Sequence, residues 1–225
     1  VGAAAGGLWK SENGGTTWTP VFDDQPVASI GAIAVNQKTP DLVWVGTGEA
    51  APRNSVSVGR GVYLTRDGGK TWACLGLEKT EKISKILLHP DDPGVAYVGA
   101  LGATWGDSPE RGVFRTTDGG QTWKKVLYVD ERTGVADLAM DPQDPQVLYA
   151  AAWEFRRTPS HFSSGGPGSG LYKSADAGKT WTRLAKDLPE GLLGRIGLAV
   201  SRSKPGVVYA LIEHAEGGIW RSENR

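Results

Sequence analysis

One cysteine, Cys74, stands in 225 residues. A single thiol can neither close a disulfide within the chain nor build a cysteine zinc site, so both are excluded. Neither sign of charge is in excess. Lys plus Arg and Asp plus Glu number 25 each, so no global field draws the chain toward nucleic acid or an anionic membrane. No apolar run approaches the ~20 residues of a membrane-spanning helix. Histidine is scarce too: His89, His161 and His214 are dispersed, with no close pair, and no transition-metal site is expected. The acidic turns Asp91-Asp92 and Asp141 to Asp144 lack the alternating ligands of a calcium loop. The stretch GTGEA (46–50) lacks the Lys-Ser/Thr ending of a phosphate loop. No cofactor is expected. Neither an initiator methionine nor a leader-like segment opens the chain, which fits a mature or excised piece.

What the chain has in abundance is glycine, 32 residues, and tryptophan, nine. Without low complexity, that much glycine means many tight turns, and tryptophan supplies large packing surfaces. Both recur in a repeat. GLWKSENGGTTW (7–18), GVYLTRDGGKTW (61–72), GVFRTTDGGQTW (112–123) and GLYKSADAGKTW (170–181) align with one another, and GIWRSEN (218–224) repeats their first half. The aligned acid or amide falls at Asn13, Asp67, Asp118, Asp176 and Asn224, in steps of 54, 51, 58 and 48 residues. Ahead of most copies lies an apolar run, a turn usually containing proline and a second apolar run, as in SIGAIAVNQKTPDLVWVGTG (29–48).

Each unit therefore reads as four short strands, A to D, with the Asp-Gly turn between C and D. Regular short strands without a helical period predict an all-β fold. A period near 50 with four strands per unit predicts a β-propeller of four-stranded antiparallel blades. The blades are placed at about 29–77, 82–128, 134–185 and 195–225, with 7–21 supplying extra C and D strands. Because one strand C is surplus, these four or so blades read as part of a longer propeller. Within the turn, the acid or amide can accept backbone N–H groups. Only the second glycine (Gly15, Gly69, Gly120, Gly178) is kept in all four complete copies, so it is assigned the positive-φ position.

The pattern Ser/Thr-x-Asp-x-Gly-x-x-Trp resembles the Asp-box, or BNR repeat, of sialidases, sortilins and xyloglucan-hydrolysing enzymes. The longer unit is similar to the sortilin-type propellers of large bacterial proteins often labelled glycosyl hydrolase-like. The resemblance implies that the boxes are peripheral scaffold rather than catalytic, and that the protein is exported, to an extracellular or periplasmic location. It also implies that xyloglucanases carry an Asp after strand B of an early blade, where this chain has Gly48-Glu49. The Phe/Tyr-Arg-Ile-Pro segment of sialidases is missing.

In such a meander the A–B and C–D turns share one face, and the B–C and D–A connections share the other. The long, variable B–C loops are where binding is expected: EAAPRNSVSVGR (49–60), LGATWGDSPER (101–111), WEFRRTPSHFSSGGPGS (153–169) and EHAEG (213–217). Trp105 and Trp153 are candidates for stacking on a ligand, or for pinning their loops. Arg53, Arg111, Arg156 and Arg157 are candidates for binding carboxylates, or for pairing with acids of the same loops. Asn54, Asp107, His161, Glu213 and His214 complete the candidate ligand-binding set. Glu49 and Glu154 each follow the strand B aromatic by five residues. They are candidate general acid and base if about 5–10 Å apart, or loop-ordering salt bridges.

The expected function is binding of a peptide, protein or glycan at the B–C face by a propeller portion without complete catalytic machinery. Two alternatives stay open: a glycoside hydrolase acting on β-glucan or xyloglucan-type chains through Glu49 and Glu154, and an architectural interaction platform.

Overall fold

Valine, isoleucine, tyrosine and tryptophan favour a pleated backbone, and their runs set the strands. The computed structural model describes residues 1–224. A ribbon of β1 (Trp9–Lys10) and β2 (Thr19–Pro20) comes first. The first sheet runs β3 (Ile30–Val35), β4 (Val43–Thr47), β5 (Val62–Thr65), β6 (Ala73–Cys74). The second runs β7 (Ile83–Leu88), β8 (Ala96–Ala100), β9 (Gly112–Thr116), β10 (Lys124–Leu127). The third opens with β11 (Thr133–Asp141) and β12 (Asp144–Arg157); past a short β13 (Phe162–Ser164) it continues through β14 (Gly170–Ser174) and β15 (Thr182–Leu184). The last holds β16 (Ile196–Val200), β17 (Val208–Ile212) and β18 (Gly218–Ser222). Every pairing is antiparallel, and among the described residues the sole helical element is a 3-10 turn at Glu78–Thr80.

The sheets stand face to face, and the first strands of successive sheets lie side by side: β3 by β7, β7 by β11, β11 by β16. The core is consequently a series of slabs between sheets. Trp44, Val62 and Leu64 meet Ile83, Ile86 and Val98 between the first and second sheets. Tyr97 and Val113 meet Leu138 and Leu148 in the next slab. Ala151 meets Ile196, Ala210 and Ile212 in the slab after that. Central strands such as β4 and β8 are thus buried on both faces and read as unbroken apolar runs. In three of the inner strands the ladder slips just after the start, between Ile30 and Ala32, Ile83 and Lys85, and Val135 and Asp137. Such bulges bend a strand at the rim of a sheet.

The repeated turns have one construction. Thr65 donates its hydroxyl to Asp67 Oδ1 at 2.7 Å and accepts the Gly69 amide at 2.9 Å. Asp67 in turn accepts the Lys70 and Thr71 amides and the Thr71 hydroxyl. The same bonds form around Asp118 and Asp176, and Asn13 makes the amide version, donating Nδ2 to Thr17 Oγ1. Both glycine positions are left-handed, not just the second. The first position holds φ of 58–72°, near the value an L-residue can adopt, with 58° at Ala177, whereas the second reaches 77–96°. That difference explains why alanine is tolerated at the first position. Two of the following tryptophans reach backward: Trp72 Nε1 donates to the Val21 carbonyl, just past β2, and Trp123 Nε1 to the Leu75 carbonyl, just past β6, while Trp18 Nε1 bonds the Gly15 carbonyl of its own turn.

These turns carry a pH dependence. Bonds from Thr122 and Thr116 hold the Asp118 carboxyl down to about 2, and the equivalent bonds push Asp67 and Asp176 below the usual carboxylate range. A carboxyl lowered on folding contributes stability that is complete above its unfolded pKa near 3.9 and is lost as pH falls through the folded value. Melting temperature is therefore expected to drop between about pH 4 and pH 2. A triple Asp67→Asn, Asp118→Asn, Asp176→Asn variant, built on the arrangement of Asn13, should keep the fold and flatten that drop. An unchanged slope in thermal melts across this window would exclude the turns as its source.

Candidate functional site on the loop face

The connections β4–β5, β8–β9 and β12–β14 emerge on one side of the sheets. The stretch 153–169, expected as a loop, is about half strand: β12 runs on past its sheet to Arg157 and folds back through β13, pairing Phe155 with Ser164 and Arg157 with Phe162. The tip is closed by the Thr158 amide to the His161 carbonyl at 2.8 Å, and by the His161 amide to Thr158 Oγ1 at 3.0 Å. Two short aromatic-containing runs flanking Thr-Pro-Ser-His were the available signal for this arm.

The arm ties three sheets together. Arg157 donates Nε to Asn54 Oδ1 at 2.8 Å, reaching the 49–60 loop, and Arg156 pairs with Asp107 in the 101–111 loop. Four of the expected ligand-binding residues, Asn54, Asp107, Arg156 and Arg157, are thereby gathered along one arm. Trp105, 48% exposed, stands on the same 101–111 loop. His161 lies at the arm's tip. Glu213 accepts the Ser164 hydroxyl at 2.7 Å and the Arg195 amide at 2.8 Å, joining the last sheet to the arm's base. His214 is engaged locally, Nε2 to the Glu190 carbonyl at 3.0 Å.

Two residues of the expected binding set do not present a surface. Trp153 is 2% exposed, stacked on Phe155 with ring centroids 4.6 Å apart and edge-on to Phe162, with Nε1 donating to Ser164 Oγ. It packs the arm's root, because an indole so enclosed gains more from burial than from contact with a ligand. Arg111, 1% exposed, meets no carboxylate in a hydrogen bond. Its guanidinium donates to the Leu101, Ala103, Gly106 and Glu131 carbonyls and lies 4.7 Å from the Phe155 ring centroid. Lys82, which nothing in its sequence context marks out, is also fully buried and donates Nζ to the Gly102 carbonyl at 2.7 Å. Burial lowers both cations, Arg111 to about 10 and Lys82 to about 8, the latter opposed by Glu81.

Glu49 and Glu154 are both 5% exposed, and each is engaged by its own surroundings. Glu49 accepts Arg53 Nε at 2.5 Å and the Ser57 amide at 3.3 Å. Arg53, which also donates to Ser55 Oγ, holds the Glu49 carboxyl below its usual range despite burial. A general acid has to be held the other way. Glu154 accepts the Gly168 amide at 2.9 Å and faces Arg132 at 3.4 Å. Gly48, the first of the Gly48-Glu49 pair where the xyloglucanase resemblance implies an Asp, has φ 93°, and a Cβ there would lie 2.0 Å from the Glu81 carbonyl oxygen.

A family model described as Sortilin, neurotensin receptor 3 (Sortilin-Vps10), matches residues 60–191, more than half of the chain. The chain belongs to the Sortilin-Vps10 family. This Sortilin-Vps10 chain is also 29% identical over 218 residues to a xyloglucanase of Hypocrea jecorina (strain QM6a), covering 81% of the chain and 23% of that enzyme. A xyloglucanase of Paenibacillus sp is 22% identical over 249 residues, covering 96% of the chain and again 23% of the relative. The chain thus spans about a quarter of the curated relatives it matches. Among solved structures, the GH74 xyloglucanase from Xanthomonas campestris superposes with a TM-score of 0.70 at 21% identity, over 100% of this chain and 34% of its own. An ancestral GH74 enzyme gives 0.70 at 20%, over 93% and 25%. The Sortilin-Vps10 chain has the β-propeller architecture of this group. Among its described residues, no helix is long and apolar enough to cross a membrane.

Proposed function

We propose that the chain is a glycan-binding portion of a longer, exported Asp-box propeller, and that its ligand lies along the face carrying the arm. The observation that carries this reading is the convergence of three sheets' loops on that face, through Arg157 with Asn54 and Arg156 with Asp107, beside the exposed Trp105. An indole face with amide, guanidinium and carboxylate groups around it suits a sugar ring, which offers C–H faces and hydroxyls. The xyloglucanase relatives favour a glycan over a peptide. Each four-stranded sheet is read as one blade, and the ribbon and the last sheet as partial blades. Exposed apolar residues at both ends, Trp9, Trp18, Ile33 and Val35 on one side and Tyr209, Leu211 and Ile219 on the other, support further blades in the longer protein.

The test is titration calorimetry with soluble xyloglucan. Trp105→Ala and Arg156→Ala are expected to weaken binding about tenfold each, as central contacts do. Retention of full affinity by both variants would remove the face assignment. Hydrolysis is the second reading, favoured by the xyloglucanase names of the relatives. Under the binding reading, Glu49→Gln and Glu154→Gln leave polysaccharide turnover at the wild-type level. Abolition of a measurable wild-type rate by both would make these carboxylates the catalytic pair.

A further inference from the structure

An exposed indole on a surface loop costs apolar hydration, and on a mobile loop it also loses conformational entropy when it binds. Trp105 bears the first cost, and the structure removes much of the second. Around it the 101–111 loop has no ladder partner, so its carbonyls need other donors. Two buried cations supply them. Arg111 serves the carbonyls of Leu101, Ala103 and Gly106, on both sides of Trp105, and clamps them to the Glu131 carbonyl of the next connection. Lys82 serves the carbonyl of Gly102. Gly102 itself is left-handed, at φ 72°, and a Cβ there would stand 2.5 Å from Arg111 Cγ, so the loop and the guanidinium are fitted to each other. Charge-assisted bonds are about twice as strong as neutral ones, and a planar fork fixes direction as well as distance.

We propose that Arg111, assisted by Lys82, is a positioning residue that presents Trp105 as a ready-formed stacking platform for a sugar ring. This rests on the glycan reading of the face. Arg111 touches no ligand; it acts through the loop. The affinity that a floppy loop would lose in ordering is retained, because the loop is already ordered by donors that lie beneath it.

The experiment is a double-mutant cycle read by calorimetry with soluble xyloglucan, paired with hydrogen exchange by mass spectrometry over residues 101–107. Arg111→Met keeps the bulk and removes the donors. It should raise exchange in that segment at least about tenfold while the sheet cores stay protected, and weaken binding about as much as Trp105→Ala, tenfold or so. The double variant should bind no more weakly than Trp105→Ala alone, since Arg111 has nothing to position once the indole is gone. Arg111→Lys, which retains charge and some donors, should recover part of both losses. It also serves where Arg111→Met does not fold. Additive losses in the cycle, or exchange that does not change in either variant, would overturn the positioning role. Wild-type binding that neither Arg111 variant weakens would overturn it while leaving the glycan reading intact. Absence of any xyloglucan binding by the wild-type chain would instead remove that reading, and the platform with it.

Discussion

Trp153→Ala is expected to lower the unfolding free energy by about 3–5 kcal/mol, the range for truncating a buried aromatic. The indole is enclosed on three sides: Phe155 stacks on it, Phe162 meets it edge-on, and the Arg195 guanidinium lies 5.1 Å from its ring centroid. Its Nε1 donates to Ser164 Oγ, and Ser164 in turn donates to Glu213. Removing the indole therefore opens a cavity at the root of the arm and takes away the bond to Ser164 and the Arg195 contact, leaving Ser164–Glu213 as a remaining tie to the last sheet. Urea denaturation measures the first effect, and exchange at 155–164 the second. Trp153→Phe, which keeps the stack and loses the bond, should cost about 1–2 kcal/mol. A loss below about 1 kcal/mol for alanine would mean that the arm is held elsewhere.

Gly48→Ala is expected to cost about 3 kcal/mol. A left-handed L-residue costs about 1–2 kcal/mol, and overpacking against fixed atoms adds about 1–3. Here the obstacles are backbone, the Glu81 carbonyl oxygen at 2.0 Å and Lys82 Cα at 2.8 Å, so no rotamer change relieves them. Gly48→Asp should be at least as costly and should confer no polysaccharide hydrolysis. Denaturation midpoints and an assay for released reducing ends check the pair. A well-folded, hydrolytic Gly48→Asp protein would show that the backbone around Gly48 accepts a carboxylate there. The carboxylate available after strand β4 is Glu49, and it is already bound to Arg53.

What could be read in the residues follows from where backbone geometry constrains side-chain choice. Turns that need left-handed glycines and a capping acid leave a fixed spelling, so Asp67 with Gly69 and Asp118 with Gly120 were visible at once. The buried central strands were visible too, because burial on both faces leaves room for little except apolar residues, as in AYVGA of β8. The arm was only half legible: the aromatic-containing runs 153–157 and 162–164 signal short strands, but the serines, glycines and prolines around them read as a loop. The burial of Arg111, expected instead to meet carboxylates, and of Lys82 was hidden for a different reason. Charged residues are seldom fully buried, and the carbonyls that make their burial tolerable belong to backbone, which leaves no trace in residue identity. Trp153 carried both readings, ligand platform or packing, since an indole serves either; enclosure decided for packing, and exposure leaves Trp105 open to a ligand.

The slabs between sheets have a consequence for how such a chain comes apart and how it was assembled. Trp44 belongs to the first sheet by its strand but to the second by its neighbours Ile83 and Phe114. No sheet therefore owns a core, and none has an independent melting event to undergo. Order should propagate from interface to interface, as in a one-dimensional lattice, each slab stabilised by the sheets on both of its sides. By the same logic, the interval that duplication can add or remove without leaving half an interface runs from one slab to the next, one full repeat period at whatever phase it is cut.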